Sequence, residues 1–244
     1  MGSLTALLLA TPIFGFSLQA PMLDQGVAAT TQAISAEIAS ADAVALASPA
    51  VAALRASDDA GGGGSQSEYV KEIKRRNSIA SIHRTFGIAT WAAMTLTVVA
   101  GIMDYYNLYG FGAKIGNNPC VKGTAIGGDG GCDALRPVKD VLGGVTTALY
   151  ATTFTLSLMM PDPDNLSEGK GDFAKTLRLH KTLRWVHFGG MVAQVVLGVI
   201  MANGLLGLDR ANHYSTLQAL STVHMGLGLV TWGALTWAGA LMTF

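Results

Sequence analysis

Charged side chains are scarce in this sequence. Asp, Glu, Lys and Arg make up 13% of the 244 residues, whereas 50% are hydrophobic, and the mean hydropathy is +0.39. A water-soluble domain of this composition would expose a large apolar surface, so we predict an integral membrane protein in contact with the lipid bilayer. The formal net charge is zero, which removes the electrostatic basis for nucleic-acid binding.

Several functional motifs are also missing. The chain contains no His-Glu-x-x-His zinc motif, no phosphate-binding loop and no Ser-centred nucleophile motif. The acidic residues nearest to the long apolar segments, Asp104, Asp140 and Asp209, stand at the segment ends. Because transporters usually carry buried carboxylates or interrupted helices, the sequence disfavours this class.

Cysteine is nearly absent, and the two cysteines form a predicted pair. Cys120 and Cys132 both lie in the long connection between the first two apolar segments, among Gly, Asn and Asp residues. In an oxidising compartment two such cysteines would join, so we predict a disulfide here.

Four segments without a charged residue are long enough to cross a bilayer, which requires about 20 apolar residues. They are residues 85–103, 141–160, 185–208 and 211–244, the last with its span over about 25 residues from Ala219 onward. Because a backbone in lipid must satisfy its own hydrogen bonds, we predict an all-α fold, a four-helix transmembrane bundle. Pro161 and Pro163 are expected to end the second helix, and Asp209-Arg210 the third. About 37 residues separate the first two spans, which is too long for a simple turn.

The chain before these spans has a different character. Residues 1–23 form an apolar segment that fits a cleaved signal peptide, an uncleaved membrane helix or a segment lying on the membrane surface. Residues 24–78 are predicted to be an Ala- and Gly-rich tether with a basic lead-in, including a flexible glycine linker at 61–64. Residues 79–244 are then the transmembrane domain.

Basic residues are distributed unevenly between the two sides of the predicted bundle. The side with the start of the first span and the connection between spans two and three carries ten Lys and Arg, and the other side carries five. The positive-inside rule places the ten in the cytoplasm, as in a multi-pass protein of a bacterial inner membrane. A cleaved signal peptide would give the opposite orientation, so both orientations stay open.

One pattern, H-x-x-x-G-x-x-T-W-x-A, occurs twice in the chain, once in the first span and once in the fourth. It comprises His83, Gly87, Thr90, Trp91 and Ala93 in the first copy, and His224, Gly228, Thr231, Trp232 and Ala234 in the second. Since His and Trp are rare residues, we interpret the match as an internal repeat of helices in opposite orientations.

Histidines in or beside the spans are the candidate functional residues. Ionisable groups within membrane helices are costly and usually functional, and neutral imidazole is a common axial ligand of haem iron. The candidate iron ligands are His83, His187, His180 and His224. Gly87, Gly190 and Gly228 follow three of them and would leave room for a flat porphyrin. Arg84 and Arg184 would pair with haem propionates at the membrane surface.

Depth in the membrane predicts which histidines share an iron. His83 and His187 both lie near the start of their spans on the same side, so we predict that they are the axial pair of one haem b. His180 has Arg184 one turn later and is expected at the haem edge. His224 enters from the opposite side, where the second span has no histidine. One haem and two haems both stay open.

The last two spans carry short motifs around these histidines. They are Leu179-His180-Lys181, His187, Leu197-Gly198, Asn212-His213-Tyr214-Ser215 and Val223-His224-Met225-Gly226-Leu227-Gly228. Together with His83-Arg84-Thr85-Phe86-Gly87, they resemble the central helices of the transmembrane cytochrome b561 family. The resemblance covers the four spans, leaves residues 1–78 unexplained, and implies a b-type haem protein with bis-histidine ligation. Such proteins often take electrons from ascorbate, a quinol or a soluble redox domain. The second span departs from the family pattern, because it lacks a histidine.

Two functions follow from the sequence. The first is an electron-transfer protein or oxidoreductase subunit that exchanges electrons with a quinone or a redox protein partner through haem. The alternative is a haem-free scaffold, a small subunit of a larger membrane complex. Absorption in the Soret region distinguishes them, because only the first binds haem.

Overall fold

The computed structural model describes residues 65–128, 131–202 and 206–242. Within these ranges the secondary structure is helical, with no strand, which confirms the all-α prediction. The predicted N-terminal segment 1–23 and the tether up to residue 64 lie outside the described residues.

Four long helices and one short helix follow each other along the described chain. They are α1 (Ser65–Tyr109), α2 (Pro119–Lys122), α3 (Gly131–Met159), α4 (Asp172–Ala202) and α5 (Tyr214–Ala240). As predicted, α3 ends just before Pro161. However, α4 ends at Ala202, before the predicted stop at Asp209-Arg210.

Three of the four long helices, α1, α3 and α4, are longer than the apolar segments that predicted them. α1 begins at Ser65 instead of residue 85, so the predicted domain boundary at 78/79 lies inside a helix. α3 and α4 also begin earlier than expected, and the connection between α1 and α3 shrinks to residues 110–130. The physical reason is that a charge-free run marks only the part of a helix that can lie in lipid, whereas a helix in water accepts charged residues.

Three helices are long and apolar enough to cross a membrane. They cover Gln66–Tyr109, Ala134–Met159 and Asp172–Met201. α5 contains no charged residue but is not among these three. The structure thus supports a membrane protein, with α5 as a further long helix without charge.

The long helices pack mainly in pairs. α1 lies against α3, and α4 lies against α5, while α1 also contacts α5 and α3 touches α4 only slightly. The largest fully buried side chains are Asn107, Thr90 and Thr231, all of them polar. In a membrane protein small and hydrogen-bonding residues of this kind hold helices together, because lipid removes the hydrophobic advantage of large apolar contacts.

The two copies of the repeated pattern contact each other through their tryptophans. Trp91 on α1 donates its indole N–H to Thr236 Oγ1 on α5 at 3.0 Å. Trp232 on α5 donates in the same way to Thr95 Oγ1 on α1, also at 3.0 Å. Each acceptor stands one turn after the tryptophan of its own helix, so the two bonds are reciprocal. The repeat in the sequence therefore corresponds to a two-sided contact between α1 and α5.

The connection after α1 is closed by the predicted disulfide. Cys120 and Cys132 are joined, with 5.9 Å between their Cα atoms, which confirms the pairing. Inside this loop the buried Asn107 side chain accepts from Ile126 N–H at 2.8 Å and donates to the Ile126 carbonyl at 3.1 Å. The disulfide thus ties α2 to the start of α3, and the amide pair fixes the loop to the end of α1.

The connection between α3 and α4 is tied to the early part of α1. Asp162 pairs with Arg76 on α1 and with Lys181 on α4 at 3.3 and 3.2 Å. Partial burial alone would raise the pKa of Asp162, but the Leu166 N–H and the Lys181 and Arg76 charges outweigh it and lower that pKa. This carboxylate therefore joins three parts of the chain at one end of the assembly.

Candidate functional site

Two of the predicted histidines come together at the end of the assembly that contains Asp162. His83 on α1 and His180 on α4 have ring centres 6.5 Å apart, with the ring planes at 87° to each other. α1 and α4 are not among the helix pairs that pack closely, so the two imidazoles bridge the space between them.

Both rings are oriented by backbone carbonyls of a third and a fourth helix. His83 Nδ1 lies 3.0 Å from the Thr153 carbonyl on α3, and His180 Nδ1 lies 2.9 Å from the Ala238 carbonyl on α5. A carbonyl only accepts hydrogen bonds, so each Nδ1 must carry the proton. The lone pair is then on Nε2, and among the described residues neither Nε2 has a hydrogen-bond partner. A histidine that binds a metal through Nε2 is typically held in this way.

His187 occupies a different environment from the one predicted. It is 7% exposed, and its Nδ1 lies 2.7 Å from the Tyr150 hydroxyl on α3. The two rings meet edge to face with centres 5.6 Å apart. The structure thus pairs His187 with Tyr150, and it brings His83 to His180.

The predicted arginines differ in how far they are engaged. Arg84 is exposed. Arg184 lies partly buried, donates from Nη1 to the Ser157 carbonyl at 3.3 Å and places its guanidinium 5.2 Å from the Trp185 ring centre. Its Nε is buried and has no hydrogen-bond partner in the described part of the chain. Arg184 therefore keeps one free donor inside the protein, close to the histidines.

The predicted glycines face neighbouring helices. A Cβ at Gly190 would collide with Thr231 on α5, and a Cβ at Gly228 would lie 3.4 Å from Gln194 Oε1 on α4. A Cβ at Gly87 would lie 3.9 Å from Thr153 Cγ2. Close helix packing explains Gly190, so the porphyrin clearance expected for this residue is not needed to account for it.

His224 is separated from the other three histidines. Its ring lies next to Gly198 on α4, where an added Cβ would be 3.7 Å from His224 Cε1. Its Nδ1 is buried and has no partner among the residues that the structure describes. Nowhere in these residues do three His, Cys, Asp or Glu side chains converge as they would around a metal ion.

The sequence prediction missed two residues of the site. Tyr150 and Thr153 lie in the second span, where no site residue is predicted. Tyr150 carried a usable signal, since a phenol within a charge-free span needs a hydrogen-bond partner. The role of Thr153 rests on its backbone carbonyl, which no residue type reveals.

Comparison of the chain with known proteins gives no further identification. Protein-family models, curated proteins and solved structures yield no match. The geometry of the site is thus the basis for assigning a function.

Proposed function

We propose that the chain is a membrane-bound b-type cytochrome that binds one haem between His83 and His180. The observation that carries this proposal is the 6.5 Å separation of the two ring centres. Two imidazoles that share an iron through Nε2, at about 2 Å for each bond, would have ring centres separated by about 6.3 Å. The ring spacing and the free Nε2 atoms fit the same ligand.

The residues around His83 and His180 also fit a haem. His83 and His180 are held in the tautomer that exposes the Nε2 lone pair, by two carbonyls that belong to other helices. Arg184 offers its unpartnered Nε to a carboxylate, as a haem propionate would require. When bound, the haem would supply one-electron redox chemistry. The chain itself would orient the ligands, neutralise the carboxylates and exclude water.

The choice of His180 replaces the pair expected from the sequence. His187 Nδ1 faces the Tyr150 hydroxyl on α3. A hydroxyl can donate or accept, so it does not impose the Nδ1-protonated tautomer that the carbonyls impose on His83 and His180. A second haem at His224 has less support, because α3 offers no histidine as the opposite ligand. We therefore favour one haem at one end of the bundle.

The wider role follows from this location. With α5 as a fourth span, the chain would be a four-helix bundle like the cytochrome b561 family that it resembles, placed in a cell membrane such as a bacterial inner membrane. A haem near one surface would exchange electrons with a quinol or a redox protein on that side, either alone or within a larger complex.

Absorption spectroscopy of the purified chain tests this function. We expect a Soret band, a low-spin reduced spectrum and one haem per chain by pyridine haemochrome assay. The variant His213→Ala, altered at the outer turn beside Asp209, should keep both the spectrum and the haem content. A colourless protein from cells supplied with haem precursor would support the scaffold alternative instead.

A further inference from the structure

The three motif residues on α1 converge on a single residue of α3. The His83 ring is bonded to the Thr153 carbonyl. Gly87 faces the Thr153 methyl group, and the Thr90 hydroxyl lies 2.9 Å from the Thr153 hydroxyl. The spacing H-x-x-x-G-x-x-T thus gives three contacts with Thr153: a hydrogen bond from the histidine ring, close packing at the glycine and a hydrogen bond between the two threonine hydroxyls.

The same spacing on α5 gives a different result. Thr231 packs on Gly190, and Gly228 packs on Gln194. Gln194 donates to the His224 backbone carbonyl at 2.7 Å, so the imidazole itself takes no part, and its Nδ1 has no partner among the described residues. Only the α1 copy of the pattern therefore fixes the orientation of its histidine.

The bridge between Thr90 and Thr153 is well suited to set the position of that carbonyl. Thr90 is fully buried, and Thr153 is 8% exposed. Each hydroxyl has one proton. Whichever threonine donates to the other, the second can donate to the carbonyl one turn earlier on its own helix, Phe86 or Leu149. Because both threonines are saturated without water, the bridge locks α1 and α3 at the level where His83 meets its acceptor.

We infer that Thr90 and Thr153 are positioning residues that hold His83 in the Nδ1-protonated tautomer and aim its Nε2 at the iron. This inference rests on the proposed function, because an aimed Nε2 is useful only if it binds a ligand. The bridge sets the distance between the Thr153 carbonyl and the imidazole, and the carbonyl sets the tautomer. Partners of this kind usually change metal affinity by about 10- to 100-fold when they are lost.

The chain supplies a matched control for this bridge. Thr97 and Thr146 form a second hydroxyl pair between the same two helices, at 2.8 Å. It lies farther along α1, away from His83. Thr90→Val and Thr97→Val therefore remove equivalent interhelical bonds, one beside the His83 ring and one remote from it. Thr90→Ser keeps a hydroxyl and should restore the wild-type behaviour.

The first measurement uses the full chain without haem in detergent, with ¹⁵N-labelled histidine. NMR shifts should show His83 protonated at Nδ1 in the wild type, in Thr97→Val and in Thr90→Ser, with the signal assigned by its loss in His83→Gln. Thr90→Val and Thr153→Val should give a mixture with the Nε2-protonated tautomer. An unchanged tautomer in both would overturn the inference, and this holds whether or not the chain binds haem.

The second measurement is haem titration, followed by electron paramagnetic resonance of the bound form. We expect about tenfold weaker binding and shifted g-values for Thr90→Val, less than a twofold change for Thr97→Val, and no added loss in the Thr90→Val/Thr153→Val double variant. Equal effects of Thr90→Val and Thr97→Val would show that the bridge only holds helices together. Absence of haem binding in the wild type would refute the proposed function, while the NMR result would still decide the role of the bridge.

Discussion

The two ends of the helical assembly differ in how their polar groups are paired. At the disulfide end the groups are paired within the protein: Asn107 with Ile126, Tyr214 with the Ala113 carbonyl, and Lys139 with Asp104 at 2.7 Å. At the histidine end, no hydrogen bond to the Nε2 atom of His83 or His180 is found among the described residues. At the disulfide end the exception in the described part of the chain is the buried Nδ1 of His224, whereas the histidine end leaves two imidazole nitrogens and the Arg184 Nε unused.

This difference distinguishes polar groups that are paired within the protein from polar groups that remain available to a ligand. An unsatisfied buried polar group costs roughly 1–3 kcal/mol, so such groups are rare unless a ligand completes them. Among the described residues of the disulfide end one such group is left, the buried Nδ1 of His224. The histidine end combines two oriented imidazoles with an arginine Nε that is buried and unpartnered among the described residues, and a haem with its propionates would engage groups of these types.

The strongest test of this contrast is to replace the histidines one at a time. We expect His83→Ala and His180→Ala to abolish the low-spin haem spectrum, because each removes one proposed axial ligand. His224→Ala should leave the spectrum and the haem content unchanged. Absorption spectra and haem content of the single histidine variants, all purified from membranes, measure these effects.

His187→Ala decides between the two possible pairs. We expect this variant to keep a low-spin spectrum, since the ring spacing of His83 and His180 fits a shared iron without His187. A spectrum lost in His187→Ala and kept in His180→Ala would restore the pair predicted from the sequence. A drop from two haems to one in His224→Ala would instead show that the disulfide end also holds a cofactor.

The sequence predicted the parts of this molecule that depend on local composition. Charge-free runs located parts of the four long helices, three of which are long and apolar enough to cross a membrane. A loop rich in Gly and Asn made the pairing of Cys120 with Cys132 plausible. The long start of α1 was missed, because residues 65–84 contain charges and carry no hydropathy signal. The contact of this part of α1 with Asp162 depends on the folded position of the connection between α3 and α4, which lies far along the chain.

The proximity of His83 and His180 could not be predicted from the edges of the spans. His83 lies well inside α1, which begins at Ser65, whereas His180 lies close to the start of α4 at Asp172, so distance from a helix start does not give depth. What aligns them are interhelical contacts, such as the Thr153 carbonyl with His83. The histidine residues themselves were found, because ionisable groups in lipid are rare, but their partners are backbone atoms.

The next largest effect is expected at the disulfide end. Replacing both Cys120 and Cys132 by Ala should lower the free energy of unfolding by about 2–4 kcal/mol, since the loop they close gains freedom in the unfolded chain. Denaturation in mixed micelles would measure this loss. The haem spectrum should stay the same, because the loop is far from His83. A changed spectrum would mean that the two ends are coupled.

Helix packing between the two ends gives a smaller effect. Gly190→Ala should destabilise the protein by about 1–3 kcal/mol, because the added methyl group collides with the buried Thr231 side chain. Gly189→Ala is the matched control, as an added Cβ there meets nothing within 4 Å. Thermal melting should show the loss for Gly190→Ala alone, and a Thr231→Ala change in the same chain should recover part of it. Equal stability of the two alanine variants would argue against a tight α4–α5 contact.

The smallest effect concerns Asp162, which ties the histidine end to the early part of α1. Its pKa is lowered in the folded chain, so its ionised form stabilises the fold above the usual pKa of about 3.9, and this contribution disappears as the pH falls through the lowered value. Because such a pair is partly exposed, Asp162→Asn should lower the free energy of unfolding by at most about 1 kcal/mol at pH 6. It should leave that free energy unchanged at a pH low enough to protonate Asp162. Asp172→Asn removes an ion pair whose carboxylate is 96% exposed, and its effect at pH 6 should be smaller than that of Asp162→Asn. If Asp162→Asn still lowered the free energy of unfolding at a pH below the lowered pKa of Asp162, the side chain would act through packing. The link between α1 and the α3–α4 connection would then not be electrostatic.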